Sequence, residues 1–170
     1  MLYTRKGDRG TSGLFGTKER FPKESPVYDA LGTLDELNAL LGICFAHSKK
    51  KEVGTVQQHL FIIQAELAGA QKSITQEQVT ELERMTDALE ALVPHQGSFV
   101  VSGSTKMSAL FDYARAVSRR TEREVIKAQS IRACSPTTYA YLNRLSSLLF
   151  ALARHESAKA GIVEQAPKYE

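Results

Sequence analysis

The sequence predicts an all-α fold, a bundle of five helices preceded by a Gly-rich, basic loop. Three observations carry that prediction. From residue 33 onward glycine and proline become rare, and apolar residues recur every three or four positions, the period of an amphipathic helix. Helix-start signals stand at Thr33, Thr75 and Ser135. Before them, Gly7, Gly10, Gly13, Gly16 and Gly32, with Pro22 and Pro26, make a density of breakers that reads as an extended loop. The expected organisation is a loop over 1–32, a helical bundle over 33–160 and a loose tail over 161–170, one domain overall.

The first helix is expected to begin at Thr33, because Thr33-x-x-Glu36 is a capping box whose hydroxyl and carboxylate satisfy orphan amide donors. Leu34, Leu37, Leu41, Cys44 and Phe45 form its inner face. The second helix covers about 52–73, with Val53, Val56, Leu60, Ile63, Leu67 and Ala70 at helical spacing. The third starts at the capping box Thr75-x-x-Gln78, is lined by Val79, Leu82, Met85, Leu89 and Leu92, and stops at Pro94. Phe99-Val100-Val101 is a short apolar connector. The fourth helix runs from about Thr105 to Gln129, with Met107, Leu110, Phe111, Ala114, Val117, Thr121 and Val125 inward. The fifth takes Ser135 as N-cap and Pro136 in its first turn, where a missing N–H costs nothing, and turns Leu142, Leu145, Leu149, Leu152 and Ala153 to the core. Long helices with short connections and no convincing strand make a bundle.

Composition narrows the function classes. A chain of 170 residues buries roughly two-thirds of its unfolded surface and needs no staples. With 42% hydrophobic and 24% charged residues it reads as globular. No apolar run approaches the ~20 residues of a membrane span, and the start lacks the apolar stretch of a secretory signal. Two cysteines, Cys44 and Cys134, point to free thiols in the cytoplasm. Scattered histidines and no Cys-x-x-Cys argue against zinc, and the absence of Glu-x-x-His argues against a di-iron bundle. The net charge of +3 is unevenly spread: residues 1–23 carry +4 and the remainder −1.

Three polar groupings are candidates for chemistry. Asp35, Asn38 and Gly42 share one flank of the first helix, suited either to a ligand or to helix packing. Arg115, Arg119 and Arg123 recur at i, i+4, i+8 on the fourth helix. Arg115 lies nearest the apolar stripe, and a buried arginine needs a carboxylate, for which Asp35 is a candidate. The alternative is a solvated face partnered by Glu122 and Glu124. Lys6-Gly7-Asp8-Arg9-Gly10-Thr11-Ser12-Gly13 combines pliant backbone, hydroxyls and cations that can cradle phosphate, or it is a disordered basic tail. It is neither a Walker loop nor a dinucleotide fingerprint. Asn143, Ser147 and Arg154 fall on one polar flank of the fifth helix, ordinary amphipathic design.

Taken together, three blocks resemble the PduO-type ATP:cob(I)alamin adenosyltransferases. They are Tyr3 to Thr11, followed by Arg20 and Lys23; Gly32 to Asn38; and Ala114 to Arg123, followed by Tyr141 to Ser146. Val56 to Phe61 and Glu66 to Ala68 add to the likeness, which spans residues 3 to about 155. The resemblance implies a ferritin-like five-helix bundle, assembled as a homotrimer with active sites between subunits. It implies that the N-terminal loop, with Thr4, Arg5, Lys6, Gly7, Asp8, Gly10 and Thr11, closes over ATP only when ATP is bound. Lys23 and Arg119 would contact the triphosphate, with Arg123, Glu122 and Asn143 around the nucleotide and Glu122 the candidate Mg²⁺ ligand. Asp35 and Arg115 would pair at the subunit interface near the corrin, with Asn38 beside them and Phe99 against the lower face of cobalamin. Arg119, Arg115 and Asp35 are thus the residues expected to serve catalysis.

That chemistry needs no acid, base or covalent side chain. Cob(I)alamin attacks C5′ of the ATP ribose and triphosphate leaves, so the requirements are in-line positioning and charge stabilisation. A triphosphate of about four negative charges calls for bidentate arginines, lysine and Mg²⁺. An apolar ring such as Phe99 would exclude water and the lower cobalt ligand.

Three departures from the family pattern stand out. Pro-Gly-Gly is replaced by Ser102-Gly103-Ser104, the Asp that follows Asn-Arg-Leu-Ser is Ser147, and Gly-Gly before Arg20 reads Thr17-Lys18-Glu19. They motivate an alternative, a non-catalytic ATP- or cobalamin-binding carrier or sensor of the same fold. A nucleic-acid binder using the basic start ranks last, because the rest of the chain is slightly acidic and has no reading motif. Neither nucleic acid nor membrane is expected as a partner; a corrinoid reductase and a downstream B12-dependent mutase are.

Overall fold

Helix formation starts earlier than the capping box at Thr33 predicts. In the computed structural model, which describes residues 3–15, 18–94 and 97–169, α1 runs from Pro26 to Ser48. Thr17, in one of the departures above, and His95 lie outside the described residues. Ser25 is the extended N-cap and Pro26 occupies the first turn, the same Ser-Pro start that opens α5. Thr33 is therefore inside the helix, its hydroxyl donating to the Ala30 carbonyl at 3.1 Å. Glu36 does not cap but pairs with Arg120 of the fourth helix.

The loop expected over 1–32 is also partly structured. Thr11–Gly13 (β1) and Arg20–Pro22 (β2) form a small antiparallel hairpin, with Thr11 opposite Pro22 and Gly13 opposite Arg20. It leads directly into α1.

Helix α2 spans Lys51–Leu67, shorter than its apolar pattern predicts. It stops before Gly69, whose φ of +103° breaks the helix and whose missing Cβ would lie 3.2 Å from the Phe15 carbonyl oxygen. Helix α3 spans Gln76–Glu90 and opens with the predicted capping box of Thr75 and Gln78. Helix α4 spans Lys106–Lys127, capped reciprocally by Thr105 and Ser108, and ends in a single 3₁₀ turn over Ala128–Ser130. Helix α5 spans Pro136–Lys159 with Ser135 as N-cap. Glu66, near the end of α2, reinforces that cap. Its carboxylate accepts from the Ser135 amide and from the Thr138 hydroxyl, both at 2.6 Å, which places negative charge at the positive end of the α5 dipole.

Helix α4 packs between α1 and α5, α3 covers α5 and α2 covers α1. Their buried stripes meet in one core containing Leu34, Leu37, Leu60, Ile63, Phe111 and Tyr141. Three residues of the predicted apolar faces do not reach it, Ala70 because α2 ends before it. Phe45 is exposed and lies over Gly54 of α2, and Leu92 is past the end of α3. The segment after Gly161 is exposed for most of its length but is tied down at two points. Its Glu164 is buried against Arg154, and its Gln165 carbonyl accepts from the Val101 amide at 2.8 Å. No helix among the described residues is long and apolar enough to cross a membrane.

Candidate functional site

The hairpin shapes the basic N-terminal segment. Arg20 on β2 folds its guanidinium back over the loop, donating to Thr11 Oγ1 at 3.0 Å, to the Thr11 carbonyl at 2.7 Å and to the Lys6 carbonyl at 2.6 Å. Gly10 turns the chain with φ +75°. Gly7 admits Lys23, for a Cβ there would stand 3.2 Å from the ammonium nitrogen. Arg5, Lys6, Asp8, Arg9 and Arg20 line an open cleft of about 490 Å³. Four cations around one carboxylate, with pliant backbone between, give this cleft a net positive charge.

A second, larger cleft of about 1000 Å³ lies against α4 and α5. Arg115 and Arg119, one turn apart on α4, line it with Ser146, Ser147 and Phe150 of α5. The Arg115 guanidinium carbon stands 5.6 Å from the Phe150 ring centroid, a cation–π contact. Phe99, 80% exposed on the connector before α4, lines the same cleft. Further along the two helices, Asn143 donates to Glu122 Oε1 at 3.0 Å, so two residues assigned to one site do meet.

Other sequence-derived assignments are not brought together within the chain. Among the described residues Asp35 and Arg115 form no ion pair: Asp35 is exposed on α1, and Arg115 has the Phe150 ring as its neighbour. Asn38 is buried towards α2, where its carbonyl accepts from Gln57 at 3.2 Å. Gly42 faces the same Gln57 at an ordinary packing distance, so that flank serves helix packing in the single chain. Glu124 pairs with Lys127, and Arg123 is exposed.

Arg154 departs most from its sequence reading. It is 3% exposed rather than on a polar flank, paired with Asp112 at 2.7 Å and with Glu164 at 3.2 Å. Asp112 also lines the large cleft, so a carboxylate is present there although position 147 is serine. The one hint in the sequence is a lone aspartate beside the apolar stripe of α4.

Several titratable groups are perturbed, and none of them lines either cleft. Burial lowers the His59 ring below its usual value, against a smaller opposing effect of Glu81. His59 Nδ1 is 3.0 Å from the Tyr141 hydroxyl, and burial raises that phenol well above the usual tyrosine range. Burial also pushes Cys44 up to about 11 and Cys134 up to about 12. The hydrogen bond with Glu36 raises Arg120. Among the described residues no group of three or more His, Cys, Asp or Glu side chains could hold a metal ion. The large cleft is lined by cations, hydroxyls and aromatic faces together with the Asp112 and Glu90 carboxylates.

The sequence profile of the cobalamin adenosyltransferases matches residues 2–156. The chain belongs to that family. Among its relatives in the family, corrinoid adenosyltransferases from Bacillus subtilis and Citrobacter freundii are 35% and 36% identical to it. The first alignment covers 95% of this chain and 89% of the relative, the second 91% and 94%. A PduO corrinoid adenosyltransferase from Citrobacter freundii is also 36% identical, but this family member spans only 50% of that protein's length. The chain superposes with a TM-score of 0.92 on a variant of the PduO-type ATP:corrinoid adenosyltransferase from Lactobacillus reuteri complexed with cobalamin and ATP. The two are 26% identical, and the superposition covers 99% of both chains.

Proposed function

We propose that this family member transfers the 5′-deoxyadenosyl group of ATP to the cobalt of cob(I)alamin. The observation that carries the reading is the large cleft, where Arg115, Arg119 and the exposed Phe99 ring converge on one surface. The Lactobacillus reuteri relative of the same fold takes both cobalamin and ATP. Cobalt(I) donates an electron pair to C5′ of the ribose, the cobalt–carbon bond forms, and the C5′–oxygen bond breaks with its pair leaving on triphosphate. The protein supplies position and charge.

Arg119 and Lys23 stabilise the departing triphosphate, with Arg123 beside them. The N-terminal loop from Thr4 to Thr11, shaped by Arg20, closes over the nucleotide. Phe99 covers the lower face of the corrin and keeps water from the cobalt. Mg²⁺ arriving with ATP needs only one or two protein carboxylates beside the phosphate oxygens. Glu122, oriented by Asn143, fits that modest demand. When bound, the ion neutralises charge developing on the triphosphate.

Active sites between subunits of a homotrimer complete this reading. Asp35, exposed on α1 and unpaired with Arg115 in its own chain, is then the interface partner of a neighbour's arginine. A corrinoid reductase supplies the reduced substrate and a B12-dependent mutase takes the product. The two free cysteines fit a cytoplasmic setting. Anaerobic incubation with ATP, Mg²⁺ and chemically reduced cobalamin tests the reading. The visible spectrum of adenosylcobalamin should develop. Tight ATP binding with no such spectrum would favour the carrier reading that Ser147 motivates.

A further inference from the structure

Among the described residues Arg154 is the only arginine or lysine that is buried. A guanidinium out of water needs compensating carboxylates, and here two different elements provide them. Asp112 comes from α4, at 2.7 Å. Glu164 comes from the segment after α5, at 3.2 Å, and is itself 3% exposed. The Phe150 ring completes the surround, 4.8 Å from the guanidinium carbon.

Either side of Glu164 the segment is loosely packed, with Val163 91% and Tyr169 84% exposed. The next residue is anchored: the Gln165 carbonyl accepts from the Val101 amide at 2.8 Å. Val101 is two residues from Phe99, on a connector outside any helix or strand. An 80% exposed ring on such a connector has little packing of its own to fix its position. Contacts thus run from Arg154 to Glu164 and, through the next residue Gln165, to Val101, from which the backbone leads two residues back to Phe99. Ala166, Pro167 and Tyr169 then border the cleft that Phe99 lines.

We infer that Glu164 is a positioning residue, whose pairing with Arg154 straps the segment after α5 across the cleft and thereby holds the Phe99 connector against the corrinoid. The corrinoid part of this inference rests on the function proposed above; the strap itself rests on the contacts alone.

Glu164→Ala tests it, with Glu164→Gln as the conservative variant, because Asp112 still neutralises Arg154 and the helices are untouched. Hydrogen exchange followed by mass spectrometry should show faster exchange of the peptide containing Val101 in Glu164→Ala. Peptides from α4 and α5 should be unchanged, and Glu164→Gln should recover part of the protection. In turnover, kcat/KM for the corrinoid should fall by about tenfold or more, as expected when a positioning contact is lost, while KM for ATP stays near the wild-type value. Unchanged exchange at Val101, or equal losses for both substrates, would overturn the inference. A wild-type protein with no transferase activity would defeat the proposed function instead, and the exchange measurement would still decide whether the strap exists.

Discussion

Asn143 on α5 donates to Glu122 Oε1 on α4 at 3.0 Å, one helical turn beyond Arg119. The contact orients a carboxylate on the stretch of α4 that also carries Arg119 and Arg123. Asn143→Ala should lower kcat/KM for ATP by roughly tenfold to a hundredfold through loss of that orientation. Arg119→Ala should remove most turnover while leaving assembly intact. Steady-state kinetics with varied ATP and size-exclusion chromatography check both. Wild-type kinetics in either variant would remove that residue from the site.

Arg20 organises the N-terminal loop through three hydrogen bonds from one planar fork. A lysine keeps the charge but not the fork. Arg20→Lys should therefore raise KM for ATP several-fold. It should cost less than about 1 kcal/mol of stability, because the contacts are exposed. Kinetics together with thermal unfolding test this pair of outcomes.

His59 gives the fold a pH dependence whose sign follows from its burial. The folded state lowers its affinity for a proton below the unfolded value of 6.5, chiefly by desolvation. Protonation then favours the unfolded chain. The stabilising contribution is complete above pH 6.5 and is lost as the pH falls below it. Thermal midpoints measured across that range should fall more steeply for wild type than for His59→Gln. Parallel slopes would contradict the assignment.

Cys44 and Cys134 are both buried, with thiols raised to about 11 and about 12. Both remain protonated at neutral pH and are shielded from reagents. A thiol-reactive dye should label neither at an appreciable rate in the native protein, and both should react promptly in denaturant.

Local signals in the sequence located what local interactions build. The capping box at Thr75 and the Ser-Pro start at Ser135 predict their helices correctly, because a cap uses residues three apart. The same Ser-Pro signature at Ser25 is obscured by the surrounding glycines, and the capping pattern at Thr33 belongs to a residue already inside the helix. The hairpin was illegible because strands of three residues, Thr11–Gly13 and Arg20–Pro22, carry too little alternation to show a period. The alignment of Arg115, Arg119 and Arg123 along one face of α4 follows from their spacing. The burial of Arg154 does not, since its partners lie 42 residues upstream and in a segment beyond the helix. Helical periodicity places a side chain on a face, but the neighbour covering that face is set by tertiary packing.

The most direct measurement follows both products of one anaerobic reaction with ATP, Mg²⁺ and cob(I)alamin. Adenosylcobalamin and intact triphosphate should appear in equal amounts, because the bond broken is the one between C5′ and oxygen. No adenosylcobalamin, or ATP consumed to other phosphate products without it, would show that the protein does not transfer the adenosyl group.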